Sequence, residues 1–197
     1  ESAMTAVAEA LAEGPDVLRQ RHEDDWHRRW ELGATRITGD GAAEQALDFA
    51  RFHLLGLGHG VDEVAIGARG TTGPAYAGHV FWDTDVFVLP FLAAVVPSGA
   101  KAALRYRLSR LGAARAAAAA EGFAGARFPW ESAATGVEVT PTRVTDPDGR
   151  TVSVRTGIEE LHITSDIAWA ADHYARWTGD EAWLRSDGAP LMVETAR

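Results

Sequence analysis

The 197-residue sequence predicts an all-α protein built from helical hairpins in concentric layers, with one small β-hairpin. Three observations predict it. Alanine, the strongest intrinsic helix former, supplies 37 residues. Apolar residues recur at i, i+3 and i+4 between breaks rich in glycine and proline. A nearly all-apolar segment is followed by more amphipathic ones, with neither βαβ alternation nor a leucine-type heptad seam.

The elements follow in order. Residues 3–13 read as a helix stopped by Gly14-Pro15, and Pro15-Asp16 opens a second helix to about Leu32. Its Trp26 and Trp30 share one face beside Arg19, Arg28 and Arg29, and Arg36–Asp40 make a turn or short strand. Residues 42–57 are apolar apart from a narrow edge of Glu44, Asp48 and Arg51, the pattern of a helix buried on most sides. Residues 58–80 hold six glycines without a period and read as a long functional loop. A helix follows from about Trp82 to Val95, bent by Pro90. Another runs from Pro97 to about Glu121, with Leu104, Leu108 and Leu111 inward and Arg105, Arg107, Arg110 and Arg115 facing elsewhere. Residues 122–140 form a second loop. Pro141–Thr145 and Thr151–Arg155 flank Asp146-Pro147-Asp148-Gly149, a hairpin turn. Thr164 or Ser165 caps a helix that Gly179 ends, and short helices near 180–186 and 188–197 complete the chain.

Composition narrows the function classes. A net charge of −9 argues against a nucleic-acid binder, which needs a basic face against phosphates, and against an anionic membrane surface. No apolar run is long enough for a membrane span. The absence of cysteine excludes disulfides, iron–sulfur clusters and thiol nucleophiles. It permits a reducing compartment, and a cytoplasmic location is expected. Phosphate-binding glycine loops of the Walker and dinucleotide types are missing, as is Gly-x-Ser-x-Gly.

Two clusters can carry chemistry. His79-Val-Phe-Trp82-Asp83-Thr-Asp85 stands where the glycine loop meets a helix. Asp83 and Asp85 there suit a cap and the helix dipole. An indole beside a carboxylate also suits a sugar, whose C–H patches stack on aromatic faces while its hydroxyls donate to carboxylates. His79 and Asp83 are four apart, as in a metal pair, but two ligands do not make a site. The second cluster, Arg127-Phe-Pro-Trp130-Glu131, reads alone as a tryptophan plugging the core with Glu131 in solvent. Together the two aromatic–carboxylate pairs are more specific than either alone. Glu159, Glu160, His162 and Asp166 form a third group, in which His162 and Asp166 have ion-pair spacing. Histidines 22, 27, 53, 59 and 173 read as structural or surface groups.

The run from Arg69 to Asp85 resembles a signature of glycoside hydrolase family 65. So do Tyr106–Arg115, Gly125–Glu131, Gly157–Asp166 and Thr178-Gly179-Asp180, in the family's order. That family comprises maltose, trehalose, nigerose and kojibiose phosphorylases and some α-glucoside hydrolases, and its catalytic domain is an (α/α)6 barrel. The resemblance implies that Trp82 and Asp83 hold the transferred glucosyl unit and that Trp130 and Glu131 lie near the acceptor sugar. His79, Glu160 and His162 are further candidates for substrate contact. The Phe-Pro-Trp-Glu form resembles the trehalose and kojibiose branch more than the maltose branch. Asp85 stands where the family usually has Glu, and Arg69 where Lys is common.

The resemblance also implies that 1–33 are linker helices and that 34–197 are the N-terminal part of the barrel. The family's general acid, a Glu in a Gly-Pro-Asp-Glu-type motif, and its phosphate-binding segment are expected downstream. No catalytic residue is therefore expected in 1–197, and this piece alone is expected to be inactive. The parent reading is an inverting α-glucoside phosphorylase taking a disaccharide and inorganic phosphate to β-glucose 1-phosphate, with no other cofactor and no metal. A hydrolase such as a trehalase, and a non-catalytic carbohydrate-binding or helical interaction domain, are the alternatives. Half a barrel would leave one flank of its inner ring open, so a homo-oligomer is expected.

Overall fold

A computed structural model describes residues 3–58, 62–73 and 75–197. His59 and Pro74, both used in the reading above, lie outside the described residues. The chain forms two compact units that divide between Arg51 and Phe52.

In the first unit, α1 (Ala3–Glu13) and α2 (Pro15–Leu32) bury no residue. The next helix, α3 (Gly41–Leu55), starts on Asp40, whose Oδ1 accepts from the Ala42 and Ala43 amides at 3.1 and 3.0 Å. Its burial reverses the expected pattern. Phe49 is 66% exposed, whereas Arg51, on the predicted polar edge, is buried at 7%. The Arg51 guanidinium donates from Nη1 to Asp48 and from Nη2 to the Trp30 carbonyl and stacks over the Trp30 ring, which compensates its charge although its Nε has no hydrogen-bond partner among the described residues.

In the second unit, the helix predicted over 82–95 contains a π-turn at Thr84–Val88 before α4 (Leu89–Val95). The Leu89 amide donates to the Thr84 carbonyl, five residues back. Pro90 explains it: its ring cannot donate and would strike the carbonyl four residues earlier, and the wider turn moves that carbonyl aside. The same arrangement recurs before Pro190, with a π-turn at Leu184–Gly188.

The helix predicted over 97–121 divides into α5 (Pro97–Ser109) and α6 (Leu111–Ala120). Arg110, at φ −103° and ψ 5°, makes the break, with its side chain reaching Glu63 at 2.7 Å and lying over the Tyr106 ring. The hairpin is shorter than predicted: β1 (Arg143–Thr145) pairs antiparallel with β2 (Thr151–Ser153), Val144 opposite Val152. Asp146 closes the turn by accepting from the Asp148 and Arg150 amides.

A short α7 (Thr156–Glu159) precedes α8 (Ile163–Thr178), which Gly179 ends at φ 70° as predicted. No side chain caps α8, neither Thr164 nor Ser165, the two predicted caps; Thr164 accepts from the Phe128 amide instead. Two more helices, α9 (Glu181–Trp183) and α10 (Ala189–Thr195), follow, and Asp180 caps the first. One core joins α4, α5 and α8 through Leu89, Leu92, Leu104, Ala171 and Tyr174. A second core holds Leu111, Phe128, Ile163, Ile167 and Leu191. No helix among the described residues is long and apolar enough to cross a membrane.

Candidate functional site

The two aromatic–carboxylate clusters are far apart in sequence, and a minimal sheet joins them. Val80 and Ser132 exchange backbone hydrogen bonds at 2.9 and 3.0 Å, and Ser132 pairs on its other side with Glu138. The segment 131–139 is thus a hairpin, closed by the Glu131 carbonyl accepting from Val139. Gly136 turns it at φ 75°, where a Cβ would stand 2.6 Å from that of Arg110. The Tyr106 hydroxyl donates within this hairpin to Ser132 Oγ or the Ala133 carbonyl, each 2.9 Å away, and so pins it to α5.

This pairing sets His79 Nδ1 2.8 Å from Glu131 Oε2. Glu131 is 8% exposed, so the reading that left it in solvent is corrected. His79 turns to Glu131 rather than forming a metal pair with Asp83.

Asp83, His79, Trp130 and Glu131 line one cleft of about 840 Å³. Phe81, Tyr76 and Thr156 complete its inner wall, and Val139, Val144 and Val154 bring the hairpin valines to it. Trp82 is half-buried against the second core with Trp130, their ring centroids 6.4 Å apart. His162 stands edge-on to both indoles, 5.1 Å from Trp82 and 5.9 Å from Trp130. Its Nδ1 lies 2.5 Å from Asp166, the ion-pair spacing read from the sequence. Glu160 lines a separate small pocket with Arg127 and Glu138.

Neither acidic residue of the first cluster caps the helix. Asp83 makes no capping hydrogen bond and is exposed toward the cleft. Asp85 is 2% exposed and accepts from Arg107 at 2.5 and 3.3 Å. Arg107, predicted to face away from the core, is 1% exposed, and its Nη2 also donates to the Phe81 carbonyl at 3.0 Å. The pair fixes the backbone immediately before Trp82 and Asp83. Loss of water pushes the Asp85 carboxyl above its ordinary value; the Arg107 guanidinium opposes this and the Asp166 charge adds to it. Thr84 ties the same turn to the glycine loop by donating to the Ile66 carbonyl at 2.8 Å.

Some lining residues carried little sequence signal. Tyr76 and Ala77 hold left-handed backbone at φ 60° and 51°, a strained state for residues with a Cβ. Tyr76 presents its ring edge-on to Phe81 at 5.3 Å. Arg107 could have been found: it falls three after Leu104 and four before Leu111, on their inward stripe.

The mostly helical chain thus brings Asp83, Trp130 and Glu131 onto one cleft, with Trp82 packed behind them. The family model for the glycosyl hydrolase family 65 central catalytic domain matches residues 48–197. The chain belongs to glycoside hydrolase family 65, and its fold class is that of the family's (α/α)6 barrel. It is 45% identical to a kojibiose phosphorylase of Thermoanaerobacter brockii, over 94% of this chain and 24% of that protein. It is 37% identical to a kojibiose hydrolase of Flavobacterium johnsoniae, over 95% of this chain and 26% of that one. A solved human-microbiome protein assigned as a kojibiose phosphorylase superposes with a TM-score of 0.78 at 21% identity, over all of this chain and 28% of that one. The chain thus spans about a quarter of the length of the curated relatives it matches.

Proposed function

We propose that the protein carrying this chain is an inverting α-glucoside phosphorylase, with kojibiose as the favoured disaccharide. The observation that supports this most is the Val80–Ser132 pairing, which gathers Asp83, Trp130, Glu131 and His79 on one cleft. Similarity to a kojibiose phosphorylase supports kojibiose as the disaccharide.

In this reading the Asp83 carboxylate accepts hydroxyl hydrogen bonds from the glucosyl unit, and Trp82 supports it from behind. Trp130 stacks on the acceptor sugar, and Glu131, held by His79, accepts from its hydroxyls. A carboxylic acid outside this chain protonates the glycosidic oxygen. Phosphate attacks the anomeric carbon from the opposite face, the C–O bond breaks, and β-glucose 1-phosphate and free glucose leave. Phosphate brings its own negative charge, so one protein carboxylic acid suffices, and the reading needs no metal or organic cofactor. A charged sugar phosphate crosses a bilayer poorly, which favours a cytoplasmic enzyme. Association into a homo-oligomer belongs to the same proposal and is supported by exposed Phe87, Phe123 and Trp177.

Hydrolysis is the second reading, favoured by the similarity to a kojibiose hydrolase. Water would then need a base carboxylate, with the two carboxyl groups roughly 6.5–9.5 Å apart. Incubating the full-length protein with kojibiose, with and without phosphate, separates the two. Phosphorolysis gives β-glucose 1-phosphate only when phosphate is present. Two glucoses at an unchanged rate without phosphate would establish the hydrolase.

A further inference from the structure

We propose that Glu138 is a positioning residue for the acceptor sugar: its carboxylate sets where Trp130 and Glu131 stand. This rests on the acceptor-side reading of those two residues given above.

The Glu138 carboxylate gathers four donors. Oε2 accepts from the Trp130 amide at 2.7 Å. Oε1 accepts from the Glu131 amide at 3.3 Å, from the Thr140 amide at 2.9 Å and from the Thr140 hydroxyl at 2.6 Å. No other acceptor meets the Trp130 or Glu131 amide among the described residues. The Ser132–Glu138 and Val139–Glu131 pairing fixes the hairpin just beyond these residues and leaves those two amides to the side chain. Hydrogen bonds to an ionised acceptor are about twice as strong as neutral ones. Glu138 therefore decides the backbone path of the loop that presents the Trp130 indole and the Glu131 carboxylate.

Gly157 gives an independent view of the same carboxylate. A Cβ there would stand 3.0 Å from the Glu138 carboxyl carbon and 3.0 Å from Thr140 Cβ. The backbone at Gly157 is an ordinary turn of α7, so glycine serves there by leaving room. Glu138 itself is exposed, so its carboxylate is held beside 130–131, Thr140 and 157 by its four donors rather than by burial.

Glu138→Gln and Gly157→Ala in the full-length protein test this. The first keeps one acceptor oxygen and turns the other into a donor, which, with the oxygen left to Thr140 and Glu131, faces the Trp130 amide. The second crowds the carboxylate while raising helix propensity. Synthesis from β-glucose 1-phosphate and glucose is measured, with amide hydrogen exchange at Trp130 and Glu131. Both variants are expected to raise the KM for acceptor glucose about tenfold, the effect of one good hydrogen bond. The KM for β-glucose 1-phosphate stays at wild type, and exchange at 130–131 quickens. Unchanged exchange in Glu138→Gln overturns the positioning role. Faster exchange with both KM values moved alike, or neither, overturns its link to the acceptor. If the wild-type protein instead hydrolyses kojibiose, the phosphorylase reading fails alone, and the exchange result with the KM for kojibiose decides Glu138.

Discussion

Asp83 and Asp85 are two residues apart and do opposite things. Asp85 points inward to Arg107 and has almost no contact with solvent; Asp83 points into the cleft with no helix amide to hold it. A capping carboxylate replaced by asparagine loses little, since asparagine also caps. A carboxylate whose hydrogen bond to a sugar hydroxyl tightens in the transition state loses ~2–3 kcal/mol, a factor on the order of 10² in rate. Asp83→Asn in the full-length enzyme is therefore expected to lower kcat about 100-fold with little change in Tm. A kcat within threefold of wild type would make Asp83 a bystander. Arg107→Leu acts in the other way. It strands Asp85 in the interior, and losing one partner of a buried pair costs about 3–5 kcal/mol. With the guanidinium gone, the Asp85 carboxyl is pushed further above its ordinary value. The folded variant then binds a proton that the unfolded chain has released. Its deficit should be largest at neutral pH and shrink on acidification. Urea unfolding at pH 7 and pH 5 measures this; a deficit independent of pH would mean that losing Arg107 makes Asp85 take up no further proton on folding.

The turn joining α8 to α9 depends on Asp180. Its Oδ1 accepts from the Trp183 amide at 3.0 Å, and its Oδ2 lies 3.0 Å from Lys101 Nζ and 3.1 Å from the Tyr174 hydroxyl. The Trp183 amide, then Lys101 and Tyr174, hold the Asp180 carboxyl below its ordinary value, against partial burial. Burial, and then the Asp180 carboxylate, push the Tyr174 hydroxyl up to about 12. A lowered carboxyl value gives stability that is complete above the ordinary range near 4 and is lost as pH falls through the lowered value. Asp180→Ala should cost about 1 kcal/mol at pH 7, as other N-cap removals do. Wild type and variant should converge as pH falls below about 4. Parallel Tm curves from pH 7 to pH 2.5 would refute the charge-based role. Most such elements were legible beforehand. The spacing of Ile163, Ile167, Ala170, Tyr174 and Trp177 gave α8, and Asp146 to Gly149 gave the hairpin turn. The π-turns before Pro90 and Pro190 were not, because a proline inside a helical pattern signals strain without saying how the backbone relieves it. The break at Arg110 was hidden because its cause is tertiary: Glu63 and Tyr106 draw that side chain aside.

Across the whole chain, the sequence made the site's parts visible and left their arrangement hidden. Indole–carboxylate pairs can be recognised by residue type. The Val80–Ser132 pairing that unites them spans 52 residues and involves two residues without chemistry of their own. Burial in α3 was misread for a related reason. Counting apolar residues assumes that charge faces water, whereas Arg51 is enclosed because Asp48, the Trp30 carbonyl and the Trp30 ring meet its guanidinium. The same distribution of burial predicts how stability is spread along the chain. Helices draw their stability in proteins mostly from a buried apolar face. Neither α1 nor α2 has a buried residue, whereas α4, α5 and α8 hold Leu89, Leu92, Leu104, Ile163 and Ile167 at 0% exposure. Opening 3–32 therefore removes little apolar surface from shelter, whereas opening α5 or α8 dismantles a core at roughly 25 cal/mol per Å². Salt bridges along α2, such as Arg19–Glu23 and Arg21–Glu13, are exposed and add little. Native-state hydrogen exchange should find amides of 3–32 exchanging by local opening, with little dependence on denaturant. Amides of 100–107 and 167–175 should exchange only with global unfolding. Equal protection across both sets would show that α1 and α2 are held by contacts as strong as the core's.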